Sequence, residues 1–448
     1  MNLLNRCFHL QENGTTVRTE LLAGLTTFLT MAYIIFVQPA LLSKDFAGNP
    51  TGLDFGAVLL ATCLASAVAS AVMALLANYP IALAPGMGEN FFFVTTVMSL
   101  GALGLADAWR AALAIVFLSG VAFIVLSLVR LREAVMDGMS PSLTSGIAAG
   151  IGLFIAFIGL HNGGLIVGKP GTMVGLNPEL MTADLAVFGL GLLVTAVLHA
   201  RRVRGAIVAG IAVAAALAAA LGKVHLEGVF GLPDIKQSAV FQLDFRNALT
   251  LTALPFIIIF LFMVMFDTVG TLVGVCEQAG LMRDNKLPRA SRALLADAIG
   301  TTTGAALGTS TVTSFIESAA GVEQGGRTGL TALAAGALFL VALFVSPLVA
   351  MVGGYLPITA PALVVVGALM MRNAARIAWH DFTEAIPAFL MMIGVPLCYS
   401  IADGLALGFV SYPVIKLLSG RGREVRWLMY VLAVVLALYF VFVRTKIK

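Results

Sequence analysis

The sequence predicts an all-α polytopic membrane protein, about fourteen transmembrane helices in two inverted halves of seven. Three observations carry this. Of 448 residues, 60% are hydrophobic and only 11% are Asp, Glu, Lys or Arg, less than half the roughly 25% of a typical soluble domain. Windows of about 20 apolar residues, long enough to cross about 30 Å of hydrocarbon, recur from end to end. Lipid cannot satisfy open backbone groups, and nothing here has the dyad alternation of a barrel strand, so the spans are helical. An ordinary cytosolic enzyme is excluded.

Fifteen apolar segments follow in order. The first seven are Leu21 to Leu42, Phe55 to Ala77, Pro80 to Met98, Ala111 to Val129, Leu143 to Leu160, Leu185 to Leu198 and Ala206 to Leu221. The others are Leu254 to Val275, Ala293 to Gly308, Thr309 to Gln324, Leu330 to Val352, Thr359 to Met371, Ile386 to Cys398, Leu405 to Leu418 and Trp427 to Val443. The third and tenth carry Gly, Pro or Ser/Thr near their middles, the pattern of broken helices at a transporter binding site. With the N-terminus inside, eighteen Lys and Arg fall on the inner side, among them Arg130, Arg132, Arg283 and Lys286, against six outside. The fifteenth segment either crosses or lies along the inner interface, which the trailing Arg444, Lys446 and Lys448 favour slightly.

The polar stretch from Lys223 to Arg246 divides the chain into a first repeat at 1–222, a linker at 223–249, a second repeat at 250–420 and a C-terminal apolar segment with a basic tail at 421–448. Seven spans per half make the halves inverted. Weak internal matches keep the same order in both. "GLTTFLTMAYIIFVQPALL" from Gly24 lies on "VMFDTVGTLVGVCEQAGLM" from Val264, "WRAALAIVFLSGVAF" from Trp109 on "GRTGLTALAAGALF" from Gly326, and "SPSLTSG" from Ser140 on "LPITAPA" from Leu356.

The remaining features are bland. "MNLLNRCFHLQENGTT" has no long apolar core or cleavage site, so it reads as a short amphipathic helix on the membrane rather than a signal peptide. Its "NGT" at Asn13 carries little weight as a glycosylation site. Cys7, Cys63, Cys276 and Cys398 are scattered and make neither a disulfide framework nor a zinc pattern. The net charge of +4 comes from inner-loop basic residues and implies no nucleic-acid partner. The five histidines form no metal-ligand or nucleophile motif, so neither an enzyme nor a cofactor is expected.

Inside the membrane the acids are Glu89, Asp267, Asp297 and Glu317. A charge at a span centre costs about 2.5–3.5 kcal/mol on insertion scales, so such a residue reads first as functional. Asp297, near Arg292 at a helix end, reads as structural, and Glu89 is evenly balanced. Asp267 in "MFDTVGT" has Thr271 one turn later on the same face. "TSTVTSFIES" places Ser310, Thr311, Thr313 and Ser314 ahead of Glu317, a short strand leading into a helix N-terminus. "IALAPGMGENFFF" does the same with Pro85, Gly86 and Gly88 ahead of Asn90. Two such crossed elements would point free backbone N–H groups into a cavity. At least one ring of Phe91, Phe92 and Phe93 is expected to face lipid. Two carboxylates, an amide, hydroxyls and an aromatic face suit a flat, neutral, nitrogen-rich ring.

"RTELLAGLTTFLTMAYIIFVQPALL", "LAPGMGENFFF", "FDTVGTLVGV" and "TSTVTSFIESAAGVEQGGRTGLTAL" together resemble the AzgA-like purine permease branch of the nucleobase:cation symporter family, which also contains uracil, xanthine and ascorbate transporters. The resemblance implies a uracil-permease-like fold with core and gate domains, short strands before broken helices 3 and 10, and import of hypoxanthine, guanine and adenine by proton symport across a bacterial-type inner membrane. It implies homodimers through the gate domain. Carried over by position, Glu317 and Asp267 hydrogen-bond the base and are the proton-coupling candidates, with Thr271 where pyrimidine and xanthine relatives place a His. Asn90, Gly88, Phe91, Ser310 and Thr27 complete the implied substrate site. Val264, Glu89 and Thr311 depart from the family pattern. Sodium coupling, xanthine or uracil specificity, and an anion exchanger of the same fold are the alternatives. The exchanger would carry a soluble C-terminal domain, whereas this chain ends soon after Val443.

Overall fold

The structure, a computed structural model, describes residues 3–46, 48–128, 140–169, 173–225, 228–282 and 287–442. Arg130, Arg132, Arg283, Lys286, Arg444, Lys446 and Lys448, together with the last residues of the fourth and fifteenth apolar segments, Val129 and Val443, lie outside the described residues.

In chain order the helices are α1 (Leu3–Phe8), α2 (Val17–Met31), α3 (Tyr33–Ser43), α4 (Phe55–Leu76), α5 (Met87–Ala102), α6 (Ala108–Leu128), α7 (Pro141–Asn162), α8 (Ala183–Ala200), α9 (Ala206–Ala220) and α10 (Phe245–Ala248). They continue as α11 (Leu254–Gln278), α12 (Ala290–Leu307), α13 (Ser318–Glu323), α14 (Gly329–Ala342), α15 (Ser346–Gly354), α16 (Leu356–Met370), α17 (Phe382–Leu397), α18 (Ile401–Leu418) and α19 (Trp427–Phe442). The strands are β1 (Leu83–Pro85), β2 (Ile166–Lys169), β3 (Met173–Leu176) and β4 (Val312–Ser314). Among the described residues, eight helical spans are long and apolar enough to cross a membrane, the first running from Val17 to Ser43 through the junction of α2 and α3.

Local chemistry sets many of the boundaries. Asp54 accepts from Ala57 N at 3.0 Å and caps α4. Thr182 caps α8 and Ser400 caps α18 in the same way. Gly308, at φ 102°, ends α12 in a left-handed conformation that costs a glycine little. The third segment becomes β1 and α5, and the tenth becomes β4 and the six-residue α13, as the Gly, Pro and Ser/Thr placement predicts.

Packing forms two layers of contact. In one, α14 lies on α2 and α4, while α6 lies on α11 and α12, and α4 packs against α12. In the other, α7 packs on α16 and α17, α16 on α8 and α9, and α17 on α18. Apolar helices gain no hydrophobic free energy by meeting in lipid, so close approach through small residues decides where they cross. A Cβ at Gly152 of α7 would stand 2.8 Å from the Gly367 carbonyl oxygen of α16. A Cβ at Gly24 of α2 would stand 2.7 Å from the Thr331 carbonyl oxygen of α14.

Three expectations are corrected. Phe91, Phe92 and Phe93 are all fully buried, because α5 is enclosed by neighbouring helices and presents no ring to lipid. The N-terminal segment does not simply lie on a bilayer: Phe8 and Leu10 are buried against Ala74, Leu330 and Ala332, and Asn78 Nδ2 donates to the Phe8 carbonyl at 3.0 Å. Asp297 sits inside α12 rather than at its end, since the helix begins at Ala290. The fifteenth segment forms α19, which packs on α18.

Candidate functional site

β1 and β4 pair antiparallel, with Leu83 opposite Ser314, Ala84 opposite Thr313 and Pro85 opposite Val312. The ladder is extended by Gly86 N donating to Thr311 O at 3.1 Å and Phe315 N donating to Ala82 O at 3.0 Å. Pro85 has no N–H to contribute and stands at the last pair of this short ladder. Because the strands run in opposite directions, α5 and α13 leave the crossing on opposite sides, with their N-termini facing the middle of the molecule. The first N–H groups of α5 carry the positive end of a helix dipole, whereas in α13 the N–H groups of Ser318, Ala319 and Ala320 already donate to the carbonyls of Phe315, Ile316 and Glu317.

The four intramembrane acids gather around this crossing. Glu317 directly precedes α13, is half-buried, and accepts from the Tyr33 hydroxyl at 2.9 Å. Its carbonyl accepts from Thr30 Oγ1 at 3.3 Å, so both sides of the α2–α3 junction hold this residue. Asp267, in the middle of α11, accepts from Thr313 Oγ1 at 3.2 Å. Asp297 is fully buried and accepts from Thr268 Oγ1 at 2.5 Å, Ser314 N at 2.8 Å and Ser314 Oγ at 3.0 Å. It therefore fixes β4 to both α11 and α12. Glu89 is buried in the first turn of α5, with its carboxylate folded against Gly86, where a side chain would collide with it.

A second polar cluster joins Asn90 and Ser310 and brings in Gln38 and Thr309 as well. Gln38 Nε2 lies 3.1 Å from Asn90 Oδ1, 2.9 Å from Thr309 Oγ1 and 3.1 Å from Ser310 Oγ. The Ser310 hydroxyl donates to Asn90 Oδ1. Gln38 Oε1 and Asn90 Nδ2 are buried without a hydrogen-bond partner. Gln38 and Tyr33 were absent from the expected site. A polar amide and a phenol inside the apolar "MAYIIFVQPALL" were the signal that could have found them.

The other expected residues lie nearby in different settings. Gly88 allows α7 to approach, since a Cβ there would stand 2.9 Å from Ile151 Cγ2. The Phe91 ring stacks on Phe46 with centroids 6.0 Å apart and meets Phe154 edge-on at 5.9 Å. Thr27 is buried at the contact of α2 with α13, beside Gly321. Thr271 is buried one turn beyond Asp267.

Asp267 is itself exposed, and so are Gly270, Val273, Glu277 and Gln278 along the same side of α11. A lipid-facing stripe is apolar, whereas this one holds acid, amide and glycine beside Val273. At its end, Gln278 Nε2 donates to Glu323 Oε1 of α13 at 2.7 Å. Among the described residues no cluster of three His, Cys, Asp or Glu could hold a metal ion. The arrangement offers carboxylate acceptors and the N-terminal donors of α5 to a small polar solute.

Interrupted spans that cross beside acids within apolar helices are the architecture of a membrane transporter, with the site at the crossing. The fold aligns with the transmembrane domain of the cyanobacterial bicarbonate transporter BicA at a TM-score of 0.64 and 15% identity, covering 87% of this chain and 97% of that one. Residues 18–413 match the permease family Xan_ur_permease, and the chain belongs to that family. It is 44% identical to the guanine/hypoxanthine permease PbuG of Bacillus subtilis, over 98% of this chain and 99% of that protein. It is 41% identical to the adenine permease AdeP of Escherichia coli, over 98% and 96%. The protein is an integral membrane permease and not an enzyme.

Proposed function

We propose that this permease imports purine nucleobases, namely hypoxanthine, guanine and adenine, by proton symport. The observation that carries the reading is the pair of acceptors beside the crossing of β1 and β4: Glu317, held by Tyr33 of α3, and Asp267, held by Thr313 of β4. A purine offers ring N–H donors to such carboxylates and ring-nitrogen acceptors to the N-terminal N–H groups of α5. The names of its relatives point to the same substrates.

The reading includes fourteen spans in two inverted halves, 1–222 and 250–420, joined by the linker 223–249, with the N-terminus inside. Reciprocal packing supports the symmetry: α14 on α2 and α4 corresponds to α6 on α11 and α12, and α7 on α17 to α16 on α8. The layer holding the two acids acts as core, and the layer of α7, α16, α17 and α18 as gate. A proton on Glu317 or Asp267 and a bound base together offset a buried charge that otherwise resists movement between access states.

The test is uptake of labelled hypoxanthine into proteoliposomes under an imposed proton gradient, with guanine, adenine, xanthine and uracil as competitors. Accumulation should collapse with a proton carrier and yield to purines but not to uracil. Glu317→Gln should abolish accumulation; wild-type accumulation by that variant removes Glu317 from coupling. Uptake driven by sodium alone would transfer the coupling to that ion.

A further inference from the structure

Away from the transport site, a cavity of about 540 Å³ opens among the N-terminal segment, the turn after α4, the end of α11, the start of α12 and the loop before α14. That volume falls in the range of small-molecule sites, roughly 300–1,000 Å³. Its wall includes His9, Glu12, Asn78, Gly280, Arg289 and Arg327.

Two guanidinium groups face this space, and among the described residues neither makes an ion pair with a carboxylate. Both are held in place. Arg327 Nη1 donates to the carbonyls of Val322 at 2.8 Å and Gly326 at 2.7 Å. The Arg289 guanidinium lies 4.6 Å from the Tyr79 ring centre, and its backbone N donates to the Tyr79 hydroxyl oxygen at 3.2 Å. The acid in the wall, Glu12, is turned to His9 Nδ1 at 3.3 Å.

The walls are tied together as firmly as the arginines. Asn78 stands in the left-handed region at φ 51° and His9 at φ 53°. Asn78 nevertheless uses both ends of its amide, donating to Phe8 O at 3.0 Å and accepting from Gly329 N at 2.6 Å. The Glu20 carboxylate accepts from Arg327 N at 2.8 Å, but among the described residues neither guanidinium is ion-paired, and preorganised guanidinium groups in a cavity much larger than one water are a setting that binds an anion.

We propose that this cavity binds a phosphate-bearing ligand, its anionic oxygens held by Arg289 and Arg327 and the rest of the molecule filling the space toward Asn78 and Gly280. Guanidinium suits phosphate because its planar fork matches two oxygens at once. The phosphate can belong to a soluble phosphomonoester, with three non-bridging oxygens, or to a lipid headgroup, with two, and either can engage a guanidinium fork. The cavity joins the end of the helix bearing Asp267 to the start of the helix bearing Asp297, so a ligand there bridges the two elements that hold β4.

The experiment uses the purified full chain in neutral detergent. Binding of ribose 5-phosphate is measured by calorimetry, with ribose as the uncharged control. In a parallel arm, thermal unfolding is compared in micelles doped with phosphatidylglycerol or with phosphate-free diacylglycerol. The double variant Arg289→Gln/Arg327→Gln is tested beside Arg292→Gln, an exposed arginine one turn away that does not line the cavity. A phosphate-bearing probe should bind wild type and Arg292→Gln equally, and the double variant at least tenfold more weakly. Ribose should bind none of them. Response to ribose 5-phosphate assigns a soluble ligand, and response to phosphatidylglycerol alone assigns a lipid. The proposal is overturned if neither probe acts on wild type, or if the double variant, with an unchanged unfolding temperature in the absence of ligand, responds as wild type does.

Discussion

Asp297→Ala should release β4 from its two supporting helices. The carboxylate accepts three hydrogen bonds, and Ser314 supplies two of them, through N at 2.8 Å and Oγ at 3.0 Å. The Thr268 and Ser314 hydroxyls can rotate toward other acceptors, as hydroxyls in helices do toward a preceding carbonyl. The Ser314 amide cannot rotate, because its direction is set by the backbone and the ladder to β1. Leaving one buried donor unpaired costs about 1–3 kcal/mol, which corresponds to roughly 5–150-fold in an equilibrium constant. Hydrogen exchange of the peptide covering Thr309 to Glu317 should accelerate by a factor in that range, and hypoxanthine uptake should fall with it. Thr268→Ala is the control, because Thr268 bonds the other carboxylate oxygen and leaves Ser314 attached. If exchange across β4 is unchanged in Asp297→Ala, or if Thr268→Ala accelerates it as much, Asp297 does not position the strand.

Other perturbations test separate contacts. Tyr33→Phe removes the hydroxyl that donates to Glu317 at 2.9 Å; a bond to a charged group contributes about 1.5–3 kcal/mol to stability, so the unfolding temperature should fall and KM for hypoxanthine should rise as Glu317 loses its anchor, and an unchanged KM would separate Tyr33 from the site. Gly321→Val should lose uptake and unfold at a lower temperature, because its Cβ meets Thr27 Oγ1 and stands 2.7 Å from the Ala23 carbonyl, an overpacking cost of about 1–3 kcal/mol. Gly101→Ala, with nothing within 4 Å, should be neutral or slightly stabilising, and equal damage from both changes would refute the packing argument. Asp381 is held down to about 2 by the Thr383 hydroxyl and Arg421, and Glu424 to about 2 by Arg421 and Lys416. Their folded-state values lie below the ordinary carboxylate range near 4, so their contribution is complete above about pH 4 and is lost as pH falls toward 2. Both groups are partly solvated, so the effect is modest: the unfolding temperature should decline over that window, and Arg421→Ala should flatten the decline.

The apolar spans, the two interrupted segments and the four acids were all legible along the chain, because each depends on local chemistry. Pro85, Gly86 and Gly88 disfavour continuous helix wherever they occur, and so does the Ser/Thr run before Glu317. The strand before each broken helix followed from the same residues. The placement of Asp297 did not, because its nearness to Arg292 suggested a helix end, whereas its role comes from Thr268 and Ser314 on other elements. Phe91 to Phe93 looked partly lipid-facing because membrane helices are apolar all round, and an enclosed face cannot be told from an exposed one by composition.

By itself, then, the sequence determined that this is a helical membrane protein, where its helices break and which charges it carries into the bilayer. Only the tertiary structure decided which of those groups meet. Tyr33 reaches Glu317 across 284 positions, and Gln38 reaches Ser310 across 272. Apolar helix surfaces are nearly interchangeable in lipid, so their arrangement rests on small-residue crossings and polar pairs between distant segments. Those contacts exist only once the chain has folded back on itself, and no local pattern records them.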